Sequence, residues 1–137
     1  MNKVILIAHG NLAKEMKNSA EMIFGELSFI ESISFLKEEG LETIENKIIE
    51  KIDENSNYLI FCDLFCGTPY NASCSIALTR LDRNIEVVSG MSLPLVLEIA
   101  SQINNMSINK ISEYLKIASK EVVQYFDKKK IYDEEDF

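Results

Sequence analysis

The sequence predicts an α/β fold: a doubly wound, mostly parallel four-stranded sheet with helices on both faces. Three observations carry that expectation. Val4-Ile5-Leu6-Ile7-Ala8 and Tyr58-Leu59-Ile60-Phe61-Cys62 are continuously apolar runs of strand length, the pattern of strands buried on both faces. The segments between the strand-like runs place their apolar residues at helical spacing. Strand and helix alternate along the chain, and right-handed crossovers then lay helices on both faces of a parallel sheet.

Each element follows from local pattern. The first strand, Val4 to Ala8, ends at His9-Gly10. Leu12, Met16, Ala20, Ile23 and Phe24 then mark a helix, with Gly25 as its C-terminal cap. Phe29 to Leu36 alternates Ile30, Ser32 and Ser34 with Glu31, Ile33 and Phe35, and reads as a second, more exposed strand. Leu41, Ile44, Ile48 and Ile52 give a second helix whose charged residues form a solvated face. The third strand, Tyr58 to Cys62, ends at Asp63. A loop from Leu64 leads to Pro69 in the first turn of a third helix, with Thr68 expected as the N-cap. Ile85-Glu86-Val87-Val88 is the fourth strand, ending at Ser89-Gly90, and Leu93 to Ile103 the fourth helix. A fifth helix, capped by Ser107, is expected to run through Ile108, Ile111, Leu115, Ala118, Val122 and Phe126. Residues 1–127 then form one domain. Residues 128–137 form a charged tail, expected to fray, with a short edge strand at Ile131-Tyr132 as the alternative.

Four such strands are expected in the flavodoxin-like order 2-1-3-4, where the first and third strands are neighbours and the winding reverses between them. Ligands of such sheets bind at the carboxyl ends of the strands beside that reversal. The residues there are His9 and Asp63.

Composition narrows the function. The 137 residues are 47% hydrophobic and 26% charged, ordinary globular values. Twenty-two acidic and 14 basic residues leave a net charge of −8. Sequence-independent nucleic-acid binding and docking on an anionic membrane both need a cationic face, so neither is expected, and a basic protein partner is. No apolar run reaches the ~18 residues of a bilayer span. Val4 to Ala8 is too short for the core of a signal peptide. Three cysteines (Cys62, Cys66, Cys74) cannot all pair with one another. A reducing, cytoplasmic setting is expected.

His9 is the only histidine. A lone histidine is often structural, but one at the end of a buried strand, before a glycine and a helix start, is placed for chemistry. Asp63 holds the equivalent place on the third strand. It reads either as a turn residue or as a carboxylate taking the Nδ1 proton of His9 and leaving Nε2 as nucleophile. Two helices begin beside the pair, and helix N-termini suit a phosphoryl group. Gly10, Gly67 and Thr68 are the candidate phosphate-binding residues. The sequence has neither a Gly-x-x-x-x-Gly-Lys loop nor a Gly-x-Gly-x-x-Gly fingerprint, so no nucleotide and no cofactor is implied. A protein of this kind would take phosphate from another protein and hand it on.

Val4-Ile5-Leu6-Ile7-Ala8-His9-Gly10, then Ala20-Glu21-Met22, resembles the start of the mannose-family IIA component of the bacterial sugar phosphotransferase system. Asp63-Leu64-Phe65-Cys66-Gly67-Thr68-Pro69-Tyr70-Asn71 is similar to that family's Asp-x-x-Gly-Gly-[Ser/Thr]-Pro-x-Asn motif, and Ser89-Gly90-Met91-Ser92-Leu93-Pro94 to its Gly-x-Asn-x-Pro segment. The resemblance implies that His9 accepts a phosphoryl group from the phosphohistidine of HPr and passes it to a IIB component, with sugar entering through membrane IIC and IID components. It implies that Asp63 orients His9 and that the protein is a homodimer. Two positions depart. Cys66 replaces the first glycine of the pair, and is strained by about 1 kcal/mol if that glycine needs φ > 0. Ser92 stands in place of asparagine.

Other readings have distinct signatures. Cys66 near a helix N-terminus and His9 would suit a thiol enzyme, against its plainer reading as a small residue replacing glycine. Cys74 and Arg80 match the Cys-x5-Arg spacing of a phosphatase loop, but the residues between them are helical and apolar. A receiver domain needs an acidic pair where Ala8-His9-Gly10 stands. The phosphotransfer subunit of dihydroxyacetone kinase also uses a strand-end histidine, without the Gly-Thr-Pro-Tyr-Asn segment. A small-anion-binding module would use His9 without turnover. One histidine and three scattered cysteines lack zinc-site spacing, so no metal is expected.

Overall fold

Strands β1 (Asn2–His9), β2 (Ile30–Phe35), β3 (Asn57–Cys62) and β4 (Ile85–Ser89) are all parallel and stand in the order 2-1-3-4. This is the expected topology, seen in a computed structural model that describes residues 1–130. Five helices connect and cover them: α1 (Leu12–Phe24), α2 (Leu41–Lys51), α3 (Thr68–Thr79), α4 (Leu93–Gln102) and α5 (Ile108–Ala118). Among the described residues no helix is long and apolar enough to cross a membrane.

Side-chain alternation divides the central strands between two cores. Leu6, Ala8, Leu59 and Phe61 face α1, α4 and α5, packing with Ala20, Val96, Ile99 and Ile111. Ile5, Ile7, Ile60 and Cys62 face α2 and α3, packing with Ile44, Ile48 and Ile76. All eight strand residues are essentially inaccessible, which is why those runs are continuously apolar. β2 lies at an edge. Ile30 and Ile33 reach opposite cores while Glu31 stays exposed.

Two helix boundaries differ from expectation. The N-cap of α3 is Gly67, in extended conformation, and Thr68 is already the first helical residue. The Gly67 N–H donates to Leu64 O at 3.1 Å, closing the loop early and starting the helix one residue sooner. α5 ends at Ala118 instead of continuing to Phe126. The Ser119 hydroxyl donates to Lys116 O at 2.7 Å, and the chain tightens into a 3-10 turn over Ser119–Glu121. Val122 still packs on the core, but Val123, Tyr125 and Phe126 are exposed, so the helical spacing there has nothing to bury against. Two expected caps are present. Gly25, at φ +95°, closes α1, and the Ser107 hydroxyl accepts from Lys110 N at 3.2 Å. The candidate strand at Ile131-Tyr132 lies outside the described residues.

At the amino end of the sheet, Asp53 gathers the loop before β3. Its Oδ2 accepts from Lys3 Nζ at 2.7 Å and from the Ser56 hydroxyl at 3.1 Å, and its Oδ1 accepts from Asn55 N at 2.9 Å. The Asp53 N–H donates to the buried Tyr58 hydroxyl at 2.8 Å, and Arg83 donates to the carbonyls of Asp53 and Ser56. The Lys3 hydrogen bond, foremost, holds the Asp53 carboxyl well below the usual carboxylate range; partial desolvation opposes it. A carboxyl with a depressed folded-state pKa contributes stability above its unfolded value, near 4, and loses it as pH falls through the folded value. Asp53→Asn is therefore expected to lower the urea midpoint at pH 7. The gap to the parent should narrow progressively below about pH 4. Urea titrations at pH 7 and pH 3 test this, and a gap that is the same at both would exclude the pairing as its source.

Candidate functional site

His9 is the last residue of β1, in register with Phe35 at the end of β2. Ile7 and Ala8 before it are fully buried, whereas the His9 side chain is 48% exposed. Gly10 follows at φ +59°, a left-handed turn toward α1 that a side chain would disfavour. Its N–H donates to Phe35 O at 2.8 Å. The Phe35 ring meets the His9 ring edge-on, centroids 5.2 Å apart at 76°.

Asp63 is the residue after β3, and its N–H donates to Ile7 O at 3.3 Å, extending the ladder by one step. Its Oδ2 accepts from the His9 backbone N–H at 3.1 Å and lies 2.8 Å from His9 Nδ1. An ionised carboxylate only accepts, so Nδ1 carries the proton and the Nε2 lone pair is left bare. Nε2 has no hydrogen-bond partner among the described residues.

The loop from Leu64 to Gly67 forms one wall. Cys66 is the only non-glycine residue at positive φ among the described residues, at +63°. That is the strained conformation expected if the position suits glycine. The Asn71 side chain donates to Cys66 O at 3.2 Å and supports the turn. Gly67 has an ordinary φ of −74°, so its requirement is steric. A Cβ there would lie 3.3 Å from Leu64 O and 3.5 Å from His9 Cε1. Beyond it the first turn of α3 presents its amides. Those of Leu64, Phe65, Cys66, Thr68 and Tyr70 bond to no protein acceptor among the described residues.

The structure brings His9, Asp63, Gly67 and Thr68 together at one end of the sheet. Two of the expected phosphate-binding residues serve differently from amide donors. The Gly10 N–H is committed to Phe35 and the Gly67 N–H to Leu64, so Gly10 supplies a left-handed turn and Gly67 clearance. Phe35 was not legible as a site residue. Its signal was the register that ends the second strand level with the first. Cys62 is core, and burial pushes its thiol up to about 12. Cys66 is exposed, but the His9 ring nitrogen facing the protein is taken by Asp63. Cys74 lies in α3, with Arg80 closing that helix, so the Cys-x5-Arg spacing makes no loop. The described residues contain no cluster of three or more potential metal ligands.

Comparison with known proteins gives a consistent picture. The EIIA-man family model, described as PTS system fructose IIA component, matches residues 3–116. A PTS system sorbose-specific EIIA component from Lacticaseibacillus casei is 40% identical over 115 residues, 82% of this chain and 82% of that protein. A fructose-specific EIIA component from Bacillus subtilis (strain 168) is 32% identical over 127 residues, 90% of this chain and 86% of that one. The structure of a mannose/sorbose specific IIA subunit from Enterococcus faecalis aligns with a TM-score of 0.81 at 29% identity, covering 92% of this chain and 95% of its own.

Three outcomes follow from the loop geometry. Cys66→Gly is expected to hold or raise the urea midpoint, because relief of left-handed strain, about 1 kcal/mol, meets a comparable loss of unfolded-state restriction. Cys66→Val should lower it clearly. Gly67→Ala should fold normally yet shift the ring resonances of His9, the sole histidine, in nuclear magnetic resonance spectra. Unchanged resonances would show that the Gly67 clearance is not what sets the ring.

Proposed function

The chain belongs to the EIIA-man family, the IIA components of the sugar phosphotransferase system, and on that premise we propose that His9 is the residue through which it relays phosphate. The observation that carries this is the 2.8 Å contact between His9 Nδ1 and Asp63, which leaves Nε2 bare on a half-exposed side chain. Family membership implies HPr as donor and a IIB component as acceptor. The Nε2 lone pair attacks the phosphorus of the phosphohistidine on HPr. As the new N–P bond forms, the N–P bond of the donor breaks and its electron pair returns to the donor nitrogen. The Nδ1–H stays on His9, and Asp63 stabilises the positive charge that develops on the ring. Attack by a histidine of the IIB component reverses these steps and frees Nε2.

The three non-bridging phosphoryl oxygens need donors. The free amides of Thr68 and Tyr70 at the start of α3 and the Thr68 hydroxyl supply them, aided by the positive end of the helix dipole. Gly67 keeps the space beside Cε1 open. A net charge of −8 suits a donor with a basic docking edge. We read the protein as cytoplasmic and homodimeric on the strength of the resemblance; sedimentation at micromolar concentration tests the assembly.

With labelled phosphoenolpyruvate, enzyme I and HPr, the protein is expected to gain label that is lost in acid and kept in alkali. His9→Gln should abolish that label and leave the fold intact. Asp63→Asn should slow transfer several-fold or more, since the amide no longer fixes the tautomer. Label persisting in His9→Gln would remove His9 from the relay, and an unchanged rate in Asp63→Asn would remove Asp63.

A further inference from the structure

Three side-chain polar atoms are buried without a hydrogen-bond partner among the described residues: Asp63 Oδ1, Ser92 Oγ and Arg80 Nε. Arg80 closes α3, toward the amino end of the sheet. The other two belong to one place. Cys62 pairs with Ser89 across β3 and β4, and the Met91 N–H donates to Cys62 O at 3.0 Å, so the chain approaching Ser92 runs beside the residue before Asp63. Both lie at the carboxyl end of the sheet, and ladder position sets the Asp63 backbone toward the face that α4 covers. Asp63 follows Phe61 by two ladder positions, and Phe61 belongs to the core under α1 and α4. Ser92 opens α4, whose buried residues Leu95, Val96 and Ile99 belong to that core as well.

Ser92 is also out of keeping with its position. A serine at an N-cap ordinarily accepts a hydrogen bond from an amide of the first turn. Ser92 is the N-cap of α4, and its hydroxyl makes no such bond; the oxygen is turned into the interior. Asp63 presents the complementary deficit. Its Oδ2 takes two donors, and its Oδ1, also buried, takes none. A buried carboxylate oxygen without a donor is costly, and a hydroxyl is the neutral group suited to supply one.

We propose that the Ser92 hydroxyl donates to Asp63 Oδ1, after a side-chain rotation or across one water, and so acts as a positioning residue for His9 through Asp63. The role in phosphoryl transfer rests on the relay reading above; the structural part does not. A carboxylate held at Oδ1 by Ser92 cannot swing about its Cβ–Cγ bond. Its Oδ2 then stays aimed at Nδ1, and neutral His9 stays in the Nδ1–H tautomer that leaves Nε2 free.

The sole histidine makes the test direct. In 15N-labelled protein, long-range proton–nitrogen correlation spectra report the tautomer of His9 without any phosphorylation. The parent is expected to show protonated Nδ1 and bare Nε2. Ser92→Ala should draw the two nitrogen shifts of neutral His9 toward each other and slow transfer from phospho-HPr by about two- to ten-fold, the usual worth of one hydrogen bond. The apparent KM for phospho-HPr should stay unchanged. Ser92→Thr keeps the hydroxyl and should restore both readouts. Ser92→Cys keeps the shape but donates weakly, and should show the loss even if Ser92→Ala does not fold. Parent-like nitrogen shifts in Ser92→Cys or Ser92→Ala would overturn the proposal, as would failure of Ser92→Thr to restore them. If the parent takes no label from phospho-HPr, the relay reading fails. The nitrogen shifts still decide the Ser92 contact.

Discussion

One carboxylate oxygen joins the fold to the site. Asp63 Oδ2 takes the last backbone N–H of β1 and also meets the imidazole of the same residue, His9. The first contact stands in for a ladder bond where β3 has run out of strand. The second sets which ring nitrogen is left bare. Both require β1 and β3 to be neighbours, as the 2-1-3-4 order provides, and β1 to run two residues beyond the last pair, Ile7 with Cys62. A sheet in which these strands were separated would keep both residues and lose the site. The sheet order is thus a condition of the chemistry as much as a way of burying Ile5, Leu6, Ile60 and Phe61.

Around that contact the local chain is shaped by absence of side chains and by irregular backbone. Gly10 turns left-handed so that α1 can leave the sheet at once, and Gly67 clears the ring. Between them Cys66 holds a left-handed conformation with a side chain, braced by the Asn71 amide. Strain in such loops is tolerable because the elements they join are rigid. The amides left unpaired between Leu64 and Tyr70 are the counterpart of that irregularity, since a regular turn would have used them.

Most of this architecture was legible from one sequence, for identifiable reasons. Runs such as Val4 to Ala8 and Tyr58 to Cys62 read as strands because both faces of the sheet are covered, leaving no polar alternation to misread. Alternation with helices made 2-1-3-4 the leading expectation for four strands, the order the structure shows, and that order places His9 and Asp63 side by side. What escaped depends on contacts between distant residues. Phe35 joins the site only through the register of β2 on β1. The helical spacing of Val122 and Phe126 promised a longer α5, but no core extends beneath Phe126. Thr68 has the chemistry of an N-cap, yet the Leu64–Gly67 turn places it inside the helix. That the amides of Gly10 and Gly67 are occupied, and that the Ser92 hydroxyl turns inward, follows only from three-dimensional geometry.

His9 stands on backbone that is buried and hydrogen-bonded. Ala8 before it is wholly inaccessible, and its own N–H and that of Gly10 are both engaged. On the relay reading, a group attached to its ring would stand at the exposed end of a backbone already held by hydrogen bonds, unlike the modified residues of conformational switches. Loading would then change the charge at the carboxyl end of the sheet and leave the strands beneath it paired as they are. A protein of that design would act as a conduit, announcing its load at the surface.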